Sequence, residues 1–287
     1  MKAQNVHYFP GHMQKALRII ENYAKVVDLI VEIVDARAPF SSRNPLLDKI
    51  ANGKSRIILL SKSDMADQEV TSSWISYFKE NNIPSISGNL KKDKFVNILS
   101  MSASSLLKTK REKEKRFGMK PQPIKAMIIG IPNVGKSTLI NNLGGRKIAN
   151  VGNKAGITRA EQWIKLNTDF ILLDTPGVLP MNYLDKNEAV RLALLGSMRE
   201  DVLPTVDLSY SLLDYLRINY HNLLNERFSI DDLSKFNNDD ILLSIASRRG
   251  LLEGKDYSIE KAAYLLIKEF KDGLLGRASL ERPSNAN

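Results

Sequence analysis

The 287-residue chain contains no cysteine. That excludes a disulfide framework and any thiolate metal centre. Histidine is scarce too: His7, His12 and His221 are too few and too scattered for a structural metal cluster. Long apolar runs are missing. The best of them, Leu29–Val34 (broken by Glu32) and Ala126–Ile131, fall far short of a bilayer span. The opening stretch MKAQNVHYFPGHM lacks the apolar core of a secretory signal. Neither an internal repeat nor a low-complexity tract is present. These absences lead us to expect a cytoplasmic protein with no membrane partner.

What the chain does have is positive charge, unevenly placed. The formal net charge is +10. Residues 1–187 hold 29 Lys+Arg against 16 Asp+Glu, whereas residues 188–287 hold 13 against 16, so +13 and −3 sum to that value. A basic excess favours a polyanionic partner such as RNA through phosphate neutralisation. An ordinary basic protein would look the same.

Hydrophobic periodicity gives the organisation. Met13, Leu17, Ile20, Ala24 and Val27 recur in steps of four and three, one face of an amphipathic helix. Asp28–Asp35, Arg56–Leu60, Ile124–Gly130 and Phe170–Asp174 are short runs rich in β-branched or apolar residues and read as strands. Residues 70–81 and 94–107 read as helices, 83–87 as a short extended segment, and 108–123 as a charged helix end and linker stopped by Pro121 and Pro123. Beyond about Asn187 the pattern is helical, over 188–199, 207–220, 239–248 and 258–271. Strands alternating with helices predict an α/β fold with a mostly parallel sheet, followed by a smaller all-α domain.

Gly130-Ile131-Pro132-Asn133-Val134-Gly135-Lys136-Ser137 fits G-x-x-x-x-G-K-[ST] between a strand and a helix. Such a loop turns its backbone N–H groups inward to cradle phosphate, and the helix N-terminus adds its dipole. Lys136 is expected on the β- and γ-phosphates, Ser137 on Mg²⁺, and Val134, Gly135 and Thr138 along the nucleotide. Asp174-Thr175-Pro176-Gly177 follows at another strand end. There Asp174 suits a Mg²⁺-holding acid and the Gly177 N–H a γ-phosphate contact. Between the two motifs, Thr158 in Gly156-Ile157-Thr158 offers a second Mg²⁺ ligand.

Guanine recognition usually needs Asn-Lys-x-Asp downstream of the phosphate loop, because its carboxylate accepts hydrogen bonds that adenine cannot donate. Nothing after Gly177 fits. Upstream, Ser61-Lys62-Ser63-Asp64 follows a strand. Asp64 can discriminate guanine, and the Lys62 stem can cover the base. Ser61 stands where asparagine is usual and offers one donor instead of two. Ser87-Gly88-Asn89 reads either as the last base-contacting loop or as a plain turn. The order is therefore base motif first, phosphate loop second. A parallel sheet permits this when the unpermuted termini lie close together.

With those residues in view, the sequence resembles the circularly permuted GTPases of the bacterial ribosome biogenesis GTPase A (YlqF) family. The resemblance is carried by Tyr8-Phe9-Pro10-Gly11-His12-Met13, Asp35-Ala36-Arg37, Ser41-Ser42-Arg43-Asn44-Pro45, the loop from Gly130 to Thr138, Gly156-Ile157-Thr158 and Asp174 to Gly177. It implies a permuted P-loop GTPase domain over residues 1–185 and a helical domain over 186–287 that helps contact rRNA. It further implies GTP-dependent assembly of the large (50S) ribosomal subunit, with slow intrinsic hydrolysis of GTP to GDP stimulated by the particle, and a monomer away from the ribosome. The helical segment is net acidic, so RNA contact there needs a local patch such as Arg248 and Arg249. A P-loop small-molecule kinase or ATPase is the competing reading, disfavoured by Asp64 in its lysine-containing motif.

Residue 178 is valine, which cannot orient water as the glutamine of Ras-type enzymes does. The resemblance implies His12 as the catalytic residue; packing or capping of the first helix is the alternative. By the same resemblance Asn133 coordinates K⁺ beside the phosphates, supplying charge stabilisation. Arg37 and Arg43 are open between contacting RNA phosphate or the switch and forming structural salt bridges.

Overall fold

The computed structural model describes residues 11–51, 53–144, 162–165, 170–179, 186–198, 203–230 and 233–283. It divides into two compact units. One is Met1–Tyr183 together with Glu281–Asn287, and the other is Leu184–Leu280. The return of the chain to the first unit at Glu281 has no counterpart in the sequence reading.

The first unit is built on a sheet. Its elements in order are α1 (Gly11–Ala24), β1 (Leu29–Asp35), α2 (Pro45–Ala51), β2 (Ser55–Ser61), α3 (Gln68–Glu80), β3 (Ser85–Gly88), α4 (Phe95–Leu106), α5 (Lys108–Arg116), β4 (Ile124–Ile129), α6 (Lys136–Gly144), β5 (Gln162–Lys165) and β6 (Phe170–Asp174). Among the described residues six strands pair in the order β3-β2-β1-β4-β6-β5. All neighbours are parallel except β5 and β6. Every residue of β1 is buried, as expected for a central parallel strand covered on both faces. The cost falls on Glu32, which is 1% exposed and is paired with Arg56 and Arg43. Arg43 and Arg56 also reach Asp48.

After β1 the chain winds outward through β2 and β3, then returns to the other side of β1 for β4 and β6. That reversal is a topological switch point, and ligands bind at the carboxyl ends of strands there. The register places Asp35, Ser61 and Gly88 in one row at those ends, and Gly130 follows β4 directly. The motifs read from sequence therefore converge on one edge of the sheet.

Several elements differ from expectation. α2 begins at Pro45 behind Asn44, whose Oδ1 accepts the Leu46 N–H at 3.0 Å. The stretch read as helix end and linker contains the separate helix α5, offset from α4 at Leu107. β5 is an additional antiparallel strand of four residues.

The second unit holds α7 (Lys186–Leu194), α8 (Thr205–Asn219), α9 (His221–Phe228), α10 (Asn238–Arg249), a small hairpin of β7 (Leu252–Glu253) and β8 (Asp256–Tyr257), and α11 (Ile259–Asp272). Its core joins Leu212, Leu213 and Leu216 of α8, Ile241 and Ile245 of α10, and Leu266 and Phe270 of α11, all buried. A capping box at Asn237 and Asp240 starts α10, and Gly250 at φ 64° ends it. α9 and the hairpin were not foreseen.

Candidate nucleotide-binding site

The phosphate loop needs backbone that ordinary residues avoid. Gly135 has φ 107° and Asn133 φ 62°. A Cβ on Gly130 would lie 2.6 Å from the Ile33 carbonyl oxygen, so only glycine lets the loop leave β4 so close to β1. Lys136, 7% exposed, starts α6 and folds back over the loop, donating to the Ile131 carbonyl at 2.8 Å and the Gly130 carbonyl at 3.2 Å. Burial lowers its pKa to about 8, although the Asp174 carboxylate pulls the other way. Asp174 is the mirror case. Burial raises its carboxyl to about 6 against the opposing effects of Lys136 and the Thr175 N–H.

Asp174 Oδ1 is buried and has no hydrogen-bond partner among the described residues. An orphaned buried carboxylate oxygen suits a hard cation, and Ser137, half-buried on the first turn of α6, supplies a second oxygen. These two residues fit Mg²⁺. Thr158, the other expected ligand, lies outside the described residues. So does the side chain of His12, which stands in the first turn of α1.

The segment after Asp174 is docked on the phosphate loop. Thr175 Oγ1 donates to Ile128 O at 2.6 Å. A Cβ on Gly177 would stand 2.8 Å from Pro132 N and 2.9 Å from Lys136 Nζ. The Val178 N–H donates to Gly130 O at 3.4 Å, and Asn44 Nδ2 donates to Val178 O at 2.9 Å. Val178 itself is fully buried. Its side chain therefore has neither the polarity nor the exposure to handle water.

The base motif lies beside this loop. Ser61 is fully buried, and its hydroxyl faces two carbonyls, Val134 O at 2.6 Å and Val34 O at 2.9 Å. It ties β2 to the phosphate loop rather than opening toward a base, and one proton serves both acceptors. Lys62, at φ 56°, donates to Asp35 Oδ2 at 2.8 Å. Asp64 is exposed, with no hydrogen-bond partner among the described residues, so its carboxylate is free for a ligand. Gly88 ends β3 where a Cβ would meet Phe95 Cζ at 2.6 Å. Asn89 is held by its N–H to Asp93 Oδ2 at 2.7 Å and by its Oδ1 from the Lys91 N–H at 2.9 Å. Asn142 of α6 binds the Leu90 and Asp93 carbonyls at 3.0 and 2.7 Å, fastening this loop to the phosphate-loop helix.

The arginines left open by the sequence are ion-paired. Arg37, 1% exposed, grips Asp35 through Nε and NH2, each at 2.9 Å. Burial would raise the Asp35 carboxyl, but Arg37 and Lys62 outweigh it and hold the group far below the usual carboxylate range. Arg43 belongs to the Glu32 and Asp48 network. In the second unit Arg249 stacks over Phe228 at 5.4 Å and reaches Glu269, while Arg248 is exposed.

Two residues to which sequence reasoning assigned no role stand out. Asn44 bridges the α2 cap and the Val178 carbonyl; the Asn-Pro pair at a helix start was its signal. Glu281, 3% exposed, accepts from the Phe40 N–H at 2.8 Å, the Ser41 N–H at 2.9 Å and the Ser41 hydroxyl, while its carbonyl takes the Trp74 indole N–H at 3.3 Å. No local pattern announces a contact across that sequence distance.

Comparison with known proteins agrees with this geometry. A family model described as 50S ribosome-binding GTPase matches residues 125–245, starting at β4 and so leaving the base motif upstream of it. The chain is 39% identical over 285 residues to ribosome biogenesis GTPase A of Priestia megaterium, covering 98% of each chain. It is 38% identical to the Bacillus cereus protein of the same name over 281 residues, 97% of this chain and 94% of that one. Its fold is similar to the crystal structure of GNP-bound YlqF from Thermotoga maritima, with TM-score 0.63 and 28% identity over 94% of this chain and 98% of the other. The reading as an unrelated kinase or ATPase is thereby set aside. The chain belongs to the ribosome biogenesis GTPase A family, guanine-nucleotide-binding GTPases of ribosome biogenesis.

Proposed function

We propose that this GTPase is an assembly factor for the large (50S) ribosomal subunit, acting in the cytoplasm as a monomer away from the particle, with hydrolysis stimulated by it. The observation that carries this reading is the near-full-length similarity to ribosome biogenesis GTPase A proteins, joined to a base motif and a phosphate loop meeting at one sheet edge. In this reading residues 1–185 act as the switch and 186–287 as the rRNA-contacting domain, with Arg248 among its exposed cations.

Within the site, Asp64 accepts the guanine N–H groups, the Lys62 stem lies against the base, and Gly88 and Asn89 line its far side. The loop amides from Asn133 to Thr138 and the Lys136 ammonium hold the phosphates, with the Gly177 N–H at the γ-position. Asp174 and Ser137, joined by Thr158, would hold Mg²⁺, which supplies charge neutralisation on the phosphate oxygens when bound. Asn133, whose φ of 62° bends the loop, would hold K⁺ beside them. Buried Val178 leaves water positioning to another group, and His12 in the first turn of α1 is our assignment. A His12→Ala chain is expected to bind GTP normally and lose particle-stimulated turnover; unchanged stimulated turnover removes it from the mechanism.

The deciding experiment is sedimentation of the protein with 30S, 50S and 70S particles, in a GTP analogue or GDP. Comigration with 50S, favoured by the analogue, is the expected result. Comigration with none of the particles overturns the ribosomal reading.

A further inference from the structure

The nucleotide motifs occupy the carboxyl ends of the strands. The amino ends carry a different feature. At the start of β1 the Asp28 N–H donates to Lys125 O at 2.8 Å, and Asp28 Oδ2 accepts the Lys125 N–H at 2.9 Å and pairs with Lys110 Nζ of α5. Arg111 is held too, by Glu114 at 2.7 Å and by Gln122 O at 2.8 Å. Lys110, Arg111 and Glu114 follow helical spacing and form the inward stripe of α5, with buried Leu107 just before the helix. The opposite stripe faces water.

That outer stripe and the turn after it are strongly cationic. Lys108, Lys113, Lys115, Arg116, Lys120 and Lys125 are exposed, with Glu112 the one exposed acid among them. Among the described residues none of these six cations has an ion-pair partner. Cations in the last turn of a helix are stabilised by its dipole, which by itself would account for Lys113, Lys115 and Arg116. It does not account for Lys108 at the opposite end, for Lys120 and Lys125 beyond the helix, or for Phe117. That ring is 74% exposed beside the basic run, and Met119 is 51% exposed. A large apolar ring left in water among unpaired cations asks for a partner that is both anionic and stackable. A membrane surface is a poor match, because only Phe117 and Met119 of the turn could insert and α5 itself (KTKREKEKR) has no apolar face. An acidic protein would satisfy the charge and leave the ring unused.

We infer that the outer face of α5 and the Phe117–Lys120 turn form an RNA-docking surface for an unpaired strand, with phosphates along Lys113, Lys115 and Arg116 and a base stacked on Phe117. The inference rests on the ribosomal reading for its source of RNA. Because the surface lies at the strand ends opposite the phosphate loop, docking there is independent of whether GTP or GDP is bound.

The test uses the full chain and a fluorescent single-stranded RNA of about 16 nucleotides, followed by anisotropy from about 50 to 200 mM KCl, beside particle sedimentation. A Lys113→Gln, Lys115→Gln, Arg116→Gln chain is expected to bind at least tenfold more weakly, with the salt slope reduced by about 2, roughly 0.7 per lost phosphate contact. Phe117→Ala is expected to weaken binding about tenfold with the slope unchanged. Parent affinity should be equal in GDP and in a GTP analogue. Either variant binding within twofold of the parent overturns the assignment, as does tighter binding of the parent to polyglutamate or to phosphatidylglycerol vesicles than to the RNA. If the parent pellets with no particle yet binds RNA through these residues, the ribosomal reading falls and the surface stands. If it pellets with 50S while the charge variant binds RNA unchanged, the reverse holds.

Discussion

Two buried ionic clusters sit at the carboxyl ends of β1 and β6, on either side of β4, and they differ in completeness. Asp35 accepts from the Arg37 backbone, from both prongs of its guanidinium and from Lys62. Among the described residues Asp174 has an oxygen with no hydrogen-bond partner, and Lys136 donates to the neutral carbonyls of its own loop. The pKa directions record the contrast. Asp35 is driven further into its charged form, whereas Asp174 and Lys136 are both driven toward neutrality by burial. A cluster that closes on itself is architecture. A cluster left open suits the receptor role proposed above, in which phosphate and a divalent cation would close it.

The largest effect should come from breaking the closed cluster. Asp35→Asn removes the buried carboxylate that Arg37 and Lys62 share and is expected to cost about 3–5 kcal/mol in urea unfolding. A loss under about 1 kcal/mol would mean that the cluster is not structural. The same kind of change in the open cluster should act in the opposite direction. Asp174→Asn removes a desolvated charge, so the nucleotide-free protein should gain about 1–3 kcal/mol at neutral pH. The gain should come with loss of Mg²⁺-dependent tightening of a GTP analogue. Melting without nucleotide, paired with titration with and without Mg²⁺, reads both.

Acid titration sharpens the contrast, because the two carboxylates have opposite signs. Asp35 is lowered from 3.8, so its stabilisation is present above that pH and is lost as pH falls below it. Asp174 is raised from 3.8 to about 6, so its charge is paid for progressively as pH climbs through that window. Asp35→Asn should therefore flatten the stability profile below pH 4, and Asp174→Asn should flatten it between 4 and 6. Identical profiles for the two variants would refute the distinction. The smallest effect concerns Ser61. Ser61→Asn offers two N–H donors to the Val34 and Val134 carbonyls where one hydroxyl proton now serves both. GDP affinity by calorimetry should rise by about tenfold or less, with guanine preference unchanged.

Much of this was legible in the chain. β1, β2, β4 and β6 are runs of buried apolar residues bounded by polar ones, and the phosphate loop announces itself through glycine spacing. The rest needed three dimensions for identifiable reasons. α5 carries no apolar periodicity, because its inward face is made of ion pairs rather than leucines. β5 is four residues long and completes the edge of the sheet only because β6 is there to receive it. Ser61 looks like a defective base contact in sequence; its value as a tie to Val134 appears only when β2 and the phosphate loop are side by side. Asp64, by contrast, was legible from its motif, and the structure adds its exposure.

The Glu281 contact also has a consequence for how the molecule is made. Phe40 and Ser41 emerge early in synthesis, yet the carboxylate that caps their N–H groups, and the carbonyl that takes the Trp74 indole, come some 240 residues later. Until residue 281 has left the ribosome, those donors lack the Glu281 acceptor, and the segment leading to Asn44 lacks that clasp. At about 5–20 residues per second that is a wait of many seconds, during which a growing chain can bury most of its sheet but cannot finish the loop that leads to Asn44 and its contact with Val178.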